Sequence, residues 1–115
     1  LLSFDYTNIK NIGISGSAEN IIKTFKIGDF KLQEDKSIKI TNPGINFVKI
    51  RETDCKIFAT GGWDSRVRVY GLKKQNLLAV LDFHKEPIHS IDFSSNNIMS
   101  VGSADGIISF WNIYN

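Results

Sequence analysis

Short apolar runs recur along this chain at intervals too brief for helices. Ile45 to Ile50 and Ile88 to Phe93 are two such runs, placed alike in their surroundings. Glu52-Thr53-Asp54 follows the first, and Ser94-Ser95-Asn96-Asn97 follows the second. Apolar runs of this length closed by polar turn residues predict β-strands joined by hairpins. Ile57-Phe58-Ala59 and Ile98-Met99-Ser100 come next, and each runs into a glycine. Asn76 to Phe83 reads as one further strand and Ser37 to Ile40 as its counterpart upstream, while the polar Phe30 to Lys36 reads as an extended loop. No long window carries a helical period, so the pattern predicts an all-β fold.

Three segments superpose. They are Ser15 to Phe25, Thr60 to Tyr70 and Val101 to Trp111. Each has a glycine between small residues, then a variable residue, an acid, a turn residue and a β-branched strand ending in an aromatic. Gly16, Gly61 and Gly102 stand 45 and 41 residues apart. Phe25, Tyr70 and Trp111 keep the same offsets. A period of roughly 40–45 residues with four short strands is the signature of a propeller blade. The blades lie at about 1–41, 44–83 and 88–115, with four, four and three strands. Gly106 fits a turn that needs a positive φ; Ser65 and Asn20 stand there in the other blades, where asparagine is the better suited. Leu1 opens within a strand-like stretch that runs to Tyr6, which reads as a piece of a longer protein whose last blade takes its outer strand from elsewhere.

Composition narrows the function. Fourteen basic residues against 12 acidic ones leave a formal charge of +2. That balance makes no electrostatic case for nucleic acid or a membrane. Cys55 is the sole cysteine, which excludes an internal disulfide and fits a reducing, intracellular location. No cofactor, metal or small-molecule substrate is expected.

Gly102-Ser103-Ala104-Asp105-Gly106 to Trp111-Asn112 resembles the ending of a WD40 repeat, and Phe83-His84 resembles that family's Gly-His pair. The resemblance implies a WD40 β-propeller fragment of about three blades of four-stranded antiparallel sheet, the last lacking its outer strand. It also implies a structural tetrad of His, turn Asp, hydroxyl and Trp. The last blade offers His84, Asp105 and Trp111, with Val101 at the hydroxyl position. The middle blade offers Thr60, Asp64 and Tyr70, with Thr41 where the His would stand. On this alignment Asp105 bonds His84 and contributes more stability than Asp64.

A narrower resemblance rests on Thr41-Asn42-Pro43-Gly44-Ile45, Ile57 to Tyr70, Leu78 to His84 and Ile108 to Tyr114. These are similar to the C-terminal blades of the G-protein beta-subunit-like protein 1 / ASTRA-associated protein 1 family. That family implies a non-catalytic scaffold in the nucleus or cytoplasm. Its partners would be subunits of assemblies that mature phosphatidylinositol-3-kinase-related kinases or remodel chromatin. The other readings are a signalling G-protein beta subunit, which needs a gamma-pairing helix, and a ubiquitin-ligase substrate receptor. The receptor's Trp-Asp-X-Arg string follows a third strand, whereas Trp63-Asp64-Ser65-Arg66 precedes one.

The chemistry-bearing residues favour binding over catalysis. His84 with Asp105 would suit acid–base work, but the repeat accounts for both as structural residues. His84 and His89, five apart with no Cys or carboxylate pattern, make a poor metal pair. Gly61-Gly62 lacks the Lys-Ser/Thr of a phosphate loop. Cys55 has no activating neighbour in sequence. Trp63 stands at a turn position where the other blades carry alanine, so it is either an exposed binding residue or a cover for the adjacent loop. Arg66 and Arg68 alternate with valines and make one strand face basic, the remaining candidates for partner contact.

Overall fold

The computed structural model of the chain describes residues 2–28 and 31–113. Eleven strands lie among them, in three antiparallel sheets. The first sheet contains β1 (Ser3–Thr7), β2 (Ile12–Gly16), β3 (Ile21–Gly28) and β4 (Lys31–Lys39). The second contains β5 (Ile45–Ile50), β6 (Ile57–Gly62), β7 (Val67–Gly71) and β8 (Leu77–Leu81). The third contains β9 (Ile88–Phe93), β10 (Ile98–Ser103) and β11 (Ile108–Asn112). Strands neighbour one another in chain order within every sheet, the meander that short hairpins impose. Among the described residues no helix is long and apolar enough to cross a membrane.

One segment departs from its sequence reading. Residues 31–36, expected in a loop, are strand: β4 pairs with β3 from Gly28↔Lys31 to Ile21↔Lys39. Its side chains are almost all exposed, so no alternation of apolar and polar residues marks it. A strand at a sheet's outer edge with both faces in water needs no apolar face, and its charges guard the open edge. Phe30, part of the same reading, lies outside the described residues.

The turns mostly follow their backbone demands. Asn11, Cys55 and Asn97 close the hairpins between first and second strands with φ of +54°, +54° and +68°. Gly106 and Ser65 take φ of +82° and +69° in the turns between second and third strands. Asn20, expected to do likewise, does not. Its side-chain amide instead donates to the Ile40 carbonyl at 3.1 Å, and the Ile40 amide donates to the Asn20 carbonyl at 2.8 Å. That pair of bonds fixes the first blade's turn without a left-handed residue.

Two apolar layers join the sheets. Ile14, Ile22, Ile45, Val48, Ile50, Phe58 and Tyr70 fill the first layer. Ile57, Val67, Val69, Ile88, Ile91, Met99 and Val101 fill the second. The repeat glycines explain how closely the sheets approach. A Cβ on Gly16 would lie 2.4 Å from Ile45 Cγ2, and one on Gly61 would lie 2.3 Å from Ile88 Cγ2. In each case the second strand of one sheet seats the isoleucine that opens the next sheet. Polar bonds follow the same seam. Ser3 Oγ accepts from the Val48 amide at 3.2 Å, and Asp5 Oδ2 accepts from the Ile50 amide at 2.7 Å. Asn46 Nδ2 donates to the Ile88 carbonyl at 2.9 Å. Two amides of β5 and one carbonyl of β9 thereby find partners across the seam.

Arg51 adds a buried clamp. Its guanidinium is wholly buried, donates to both Asp54 oxygens at 3.1 and 2.9 Å, and donates to the Ile113 carbonyl at 2.8 Å. Burial alone would raise the Asp54 carboxyl, but hydrogen bonds from Arg51 and the Lys56 amide, with their charges, hold it below the ordinary range. The second sheet is so tied to the segment that leaves the third.

The glycine seats generate a test. Gly61→Ala in the full-length protein is expected to cost about 1–3 kcal/mol by overpacking. Combined with Ile88→Ala, the loss should fall short of the sum by about 0.5–3 kcal/mol in denaturant titrations. Additive losses would show that the two residues do not share a seat.

Candidate functional site

The expected tetrad positions lie in the turns and loops and on the second and third strands of the second and third sheets. In the third sheet His84 and Trp111 converge on Ser109. His84 Nε2 lies 2.7 Å from Ser109 Oγ, and Trp111 Nε1 donates to the same oxygen at 2.8 Å. The hydroxyl absent at Val101 is thus supplied from directly across the ladder, because Val101 and Ser109 are register partners. Nothing in a one-strand alignment points to Ser109; the cross-strand register is what reveals it.

Asp105 stands apart from this network. Its carboxylate accepts from the Ser103 hydroxyl and from the Ile107 amide, the latter at 3.0 Å. The Ser103 bond chiefly, and then the Ile107 bond, hold the Asp105 carboxyl below the ordinary range. His84 Nδ1 is buried without a hydrogen-bond partner among the described residues. The His84–Asp105 bond expected from the alignment is therefore not made, and Asp105 serves its own turn.

The second sheet builds a different lock from the same positions. Arg68, the register partner of Thr60, occupies the place that Ser109 holds in the next sheet. Its guanidinium is buried and donates to Asp64 at 2.8 and 3.4 Å. It also donates to Thr41 Oγ1 at 3.4 Å. Thr41 stands where the alignment puts histidine. An arginine–carboxylate pair with a threonine thus replaces the histidine–serine–tryptophan chain. Tyr70 is buried and stacks on Phe58 at 5.1 Å. Burial raises its phenol, against the opposing charge of Arg68, so it stays protonated at neutral pH.

The candidates for partner contact separate sharply. Arg68, expected on a basic exposed face, is 5% exposed and committed to Asp64. Both faces of the second sheet are covered, the valines by the third sheet and the opposite face by the first, so Arg68 is not a contact residue. Arg66 is half-exposed and lies 3.7 Å from both Asp64 and Asp82. Trp63 is packed on one side and exposed on the other. Its ring lies against Gly44, where a Cβ would sit only 2.0 Å from Cδ2, and its amide donates to the Gly44 carbonyl at 2.9 Å. Yet the side chain is 46% exposed. Gly44 itself takes φ of +89°, which a residue with Cβ rarely adopts. Cys55 is buried, with Sγ 3.8 Å from Thr7 Oγ1, and packs a turn. His89 is exposed on β9. Among the described residues no group of three or more His, Cys, Asp or Glu side chains is arranged to hold a metal ion.

Residues 75–112 match the family described as WD domain, G-beta repeat. The chain is 40% identical over 115 residues to mouse (Mus musculus) guanine nucleotide-binding protein subunit beta-like protein 1, covering 99% of this chain and 35% of that protein. It is 34% identical over 117 residues to ASTRA-associated protein 1 of Schizosaccharomyces japonicus, covering 99% of this chain and 32% of the relative. ASTRA-associated protein 1 of Schizosaccharomyces pombe is 40% identical over 77 residues, 66% of this chain and 21% of the relative. The chain therefore spans about a third of the length of the first two relatives.

The two locks predict an order of stabilities opposite to that of the alignment. Asp64→Ala strands a buried guanidinium and is expected to cost about 3–5 kcal/mol. Asp105→Ala removes only an exposed turn carboxylate and should cost clearly less. Chemical denaturation of both variants in the full-length protein decides; an equal or larger loss for Asp105→Ala would contradict the assignment of the two networks.

Proposed function

This chain is a segment of WD40 repeats, and we propose that it works as a non-catalytic scaffold for protein–protein interaction. The observation that carries the reading is Trp63. A large aromatic held rigidly on a glycine, half in water, at a turn between strands, has the character of a binding hot spot. Ordering it on the Gly44 backbone removes rotamer freedom before a partner arrives, which lowers the cost of association. Arg66 beside it adds a charge with only loose intramolecular pairing. The proposed contact residues are therefore Trp63 and Arg66, and the tetrad-like residues His84, Trp111, Thr60, Asp64 and Tyr70 hold the frame.

The names of the relatives favour a subunit of an ASTRA-type assembly, and with it a place in kinase maturation or chromatin regulation, in the nucleus or cytoplasm. The partners would be other subunits of such an assembly. A second reading, a signalling beta-like subunit, draws on the relative named subunit beta-like. Affinity purification of the full-length protein with mass spectrometry separates them: maturation or remodelling factors support the first, a gamma subunit the second.

Trp63→Ala is expected to strip partners from the full-length protein while shifting its melting temperature little. An unchanged partner set with a large drop in melting temperature would make Trp63 a packing residue and remove the proposed hot spot.

A further inference from the structure

A cleft of about 380 Å³ opens between the outer strands of the first and second sheets. Its volume falls within the range of sites that take small ligands or a few side chains. Two kinds of surface meet in it. One wall is apolar and wet: Leu77 is 52% exposed and Val80 45% exposed, with Ile38 on the side of the first sheet. The other is cationic, with Lys39, Arg66 and Arg68 all lining the opening.

The charges of that wall are unequally used. Arg68 is neutralised by Asp64 at 2.8 Å. Arg66 reaches Asp64 and Asp82 only at 3.7 Å, and Asp82 is itself largely exposed. A charge-assisted N–H···O bond is about 2.7–2.9 Å long, so the Arg66 fork retains donors to offer. Lys39 is exposed and forms no ion pair among the described residues. Tyr70 also lines the cleft, and its protonated phenol makes no hydrogen bond to the described residues. Cationic donors thus line the cleft beside exposed apolar side chains.

We propose that this cleft is a docking site for a partner's extended peptide segment in which an acidic side chain stands between apolar ones. The carboxylate meets Lys39 and Arg66, and the apolar neighbours cover Leu77 and Val80. Charge complementarity selects an acidic segment over a basic one. Among the described residues no aspartate or glutamate lines the cleft to welcome a cation. The proposal rests on the scaffold reading and shares Arg66 with the Trp63 surface, so its test falls on Lys39 and Val80, which that surface does not use.

The test uses fluorescein-labelled synthetic peptides that alternate valine with aspartate, asparagine or lysine, titrated by anisotropy against the full-length protein. The aspartate peptide should bind about tenfold tighter than the lysine peptide, with the difference shrinking as salt rises. Lys39→Glu and Val80→Asp should each weaken the aspartate peptide at least about fivefold, the first by charge and the second by lost apolar contact. Leu32→Asp, on β4 and outside the cleft, should leave it unchanged. Equal binding of the three peptides would overturn the proposal. So would undiminished binding to both cleft variants, or a dimer in light scattering that Val80→Asp dissolves, since a second copy would then be the occupant. Partner purification on the same two variants and on Trp63→Ala tells the failures apart: if only Trp63→Ala strips partners, the scaffold stands and the cleft does not.

Discussion

Adjacent sheets of this chain come together because two glycines make room for two isoleucines. Gly16 admits Ile45 and Gly61 admits Ile88, each at a distance no side chain would allow. Dispersion falls off steeply with separation, so apolar layers gain most when facing backbones can close up. The glycine of each repeat is therefore more than a turn residue. It is the point where one repeat recognises the next, and it explains why the glycine and the strand-opening isoleucine recur at similar intervals, 45 and 43 residues. Because each sheet buries its apolar face only against a neighbour, the repeats stabilise one another and not themselves.

The seam also eases the problem of inner strand edges. β5 and β9 would present unpaired amides and carbonyls, yet Ser3, Asp5 and Asn46 reach across and bond two amides of β5 and one carbonyl of β9. The outer edges are managed differently. β4 is lined with charge, whereas β8 carries none and exposes leucine and valine. A charged edge repels chance pairing, and an uncharged apolar one invites contact. That asymmetry between two strands in the same place of consecutive repeats sets the second sheet's rim apart and underlies the proposed docking site.

Much of this was legible in the sequence. The glycine period, the polar turns and the apolar runs gave the strand order and the three sheets, because burial on one side of a sheet leaves a pattern. Residues 31–36 of β4 escaped since a strand wet on both faces leaves none. The polar networks were legible in position and not in partner. Thr41, Asp64 and His84 stand where a repeat alignment puts bonding residues, whereas Arg68 and Ser109 are reached only through cross-strand register. Which of them bond depends on cross-strand register and on side-chain reach, and neither is written in one strand. Arg68 shows the consequence: by alternation alone it looked like an exposed charge, while its long fork folds back onto Asp64 and closes a buried pair. Trp63 was ambiguous for a similar reason, since one aromatic face can cover a loop while the other meets solvent.

If the glycine–isoleucine seams hold the sheets together, they should open together. Native-state hydrogen exchange on the full-length protein reads this directly. Amides of β6 in the second sheet and of β9 and β10 in the third are expected to exchange with one common opening free energy, moved in parallel by mild denaturant. Separate opening free energies, with the third sheet exchanging while the second stays protected, would contradict the account, because each sheet would then be stable without its neighbour.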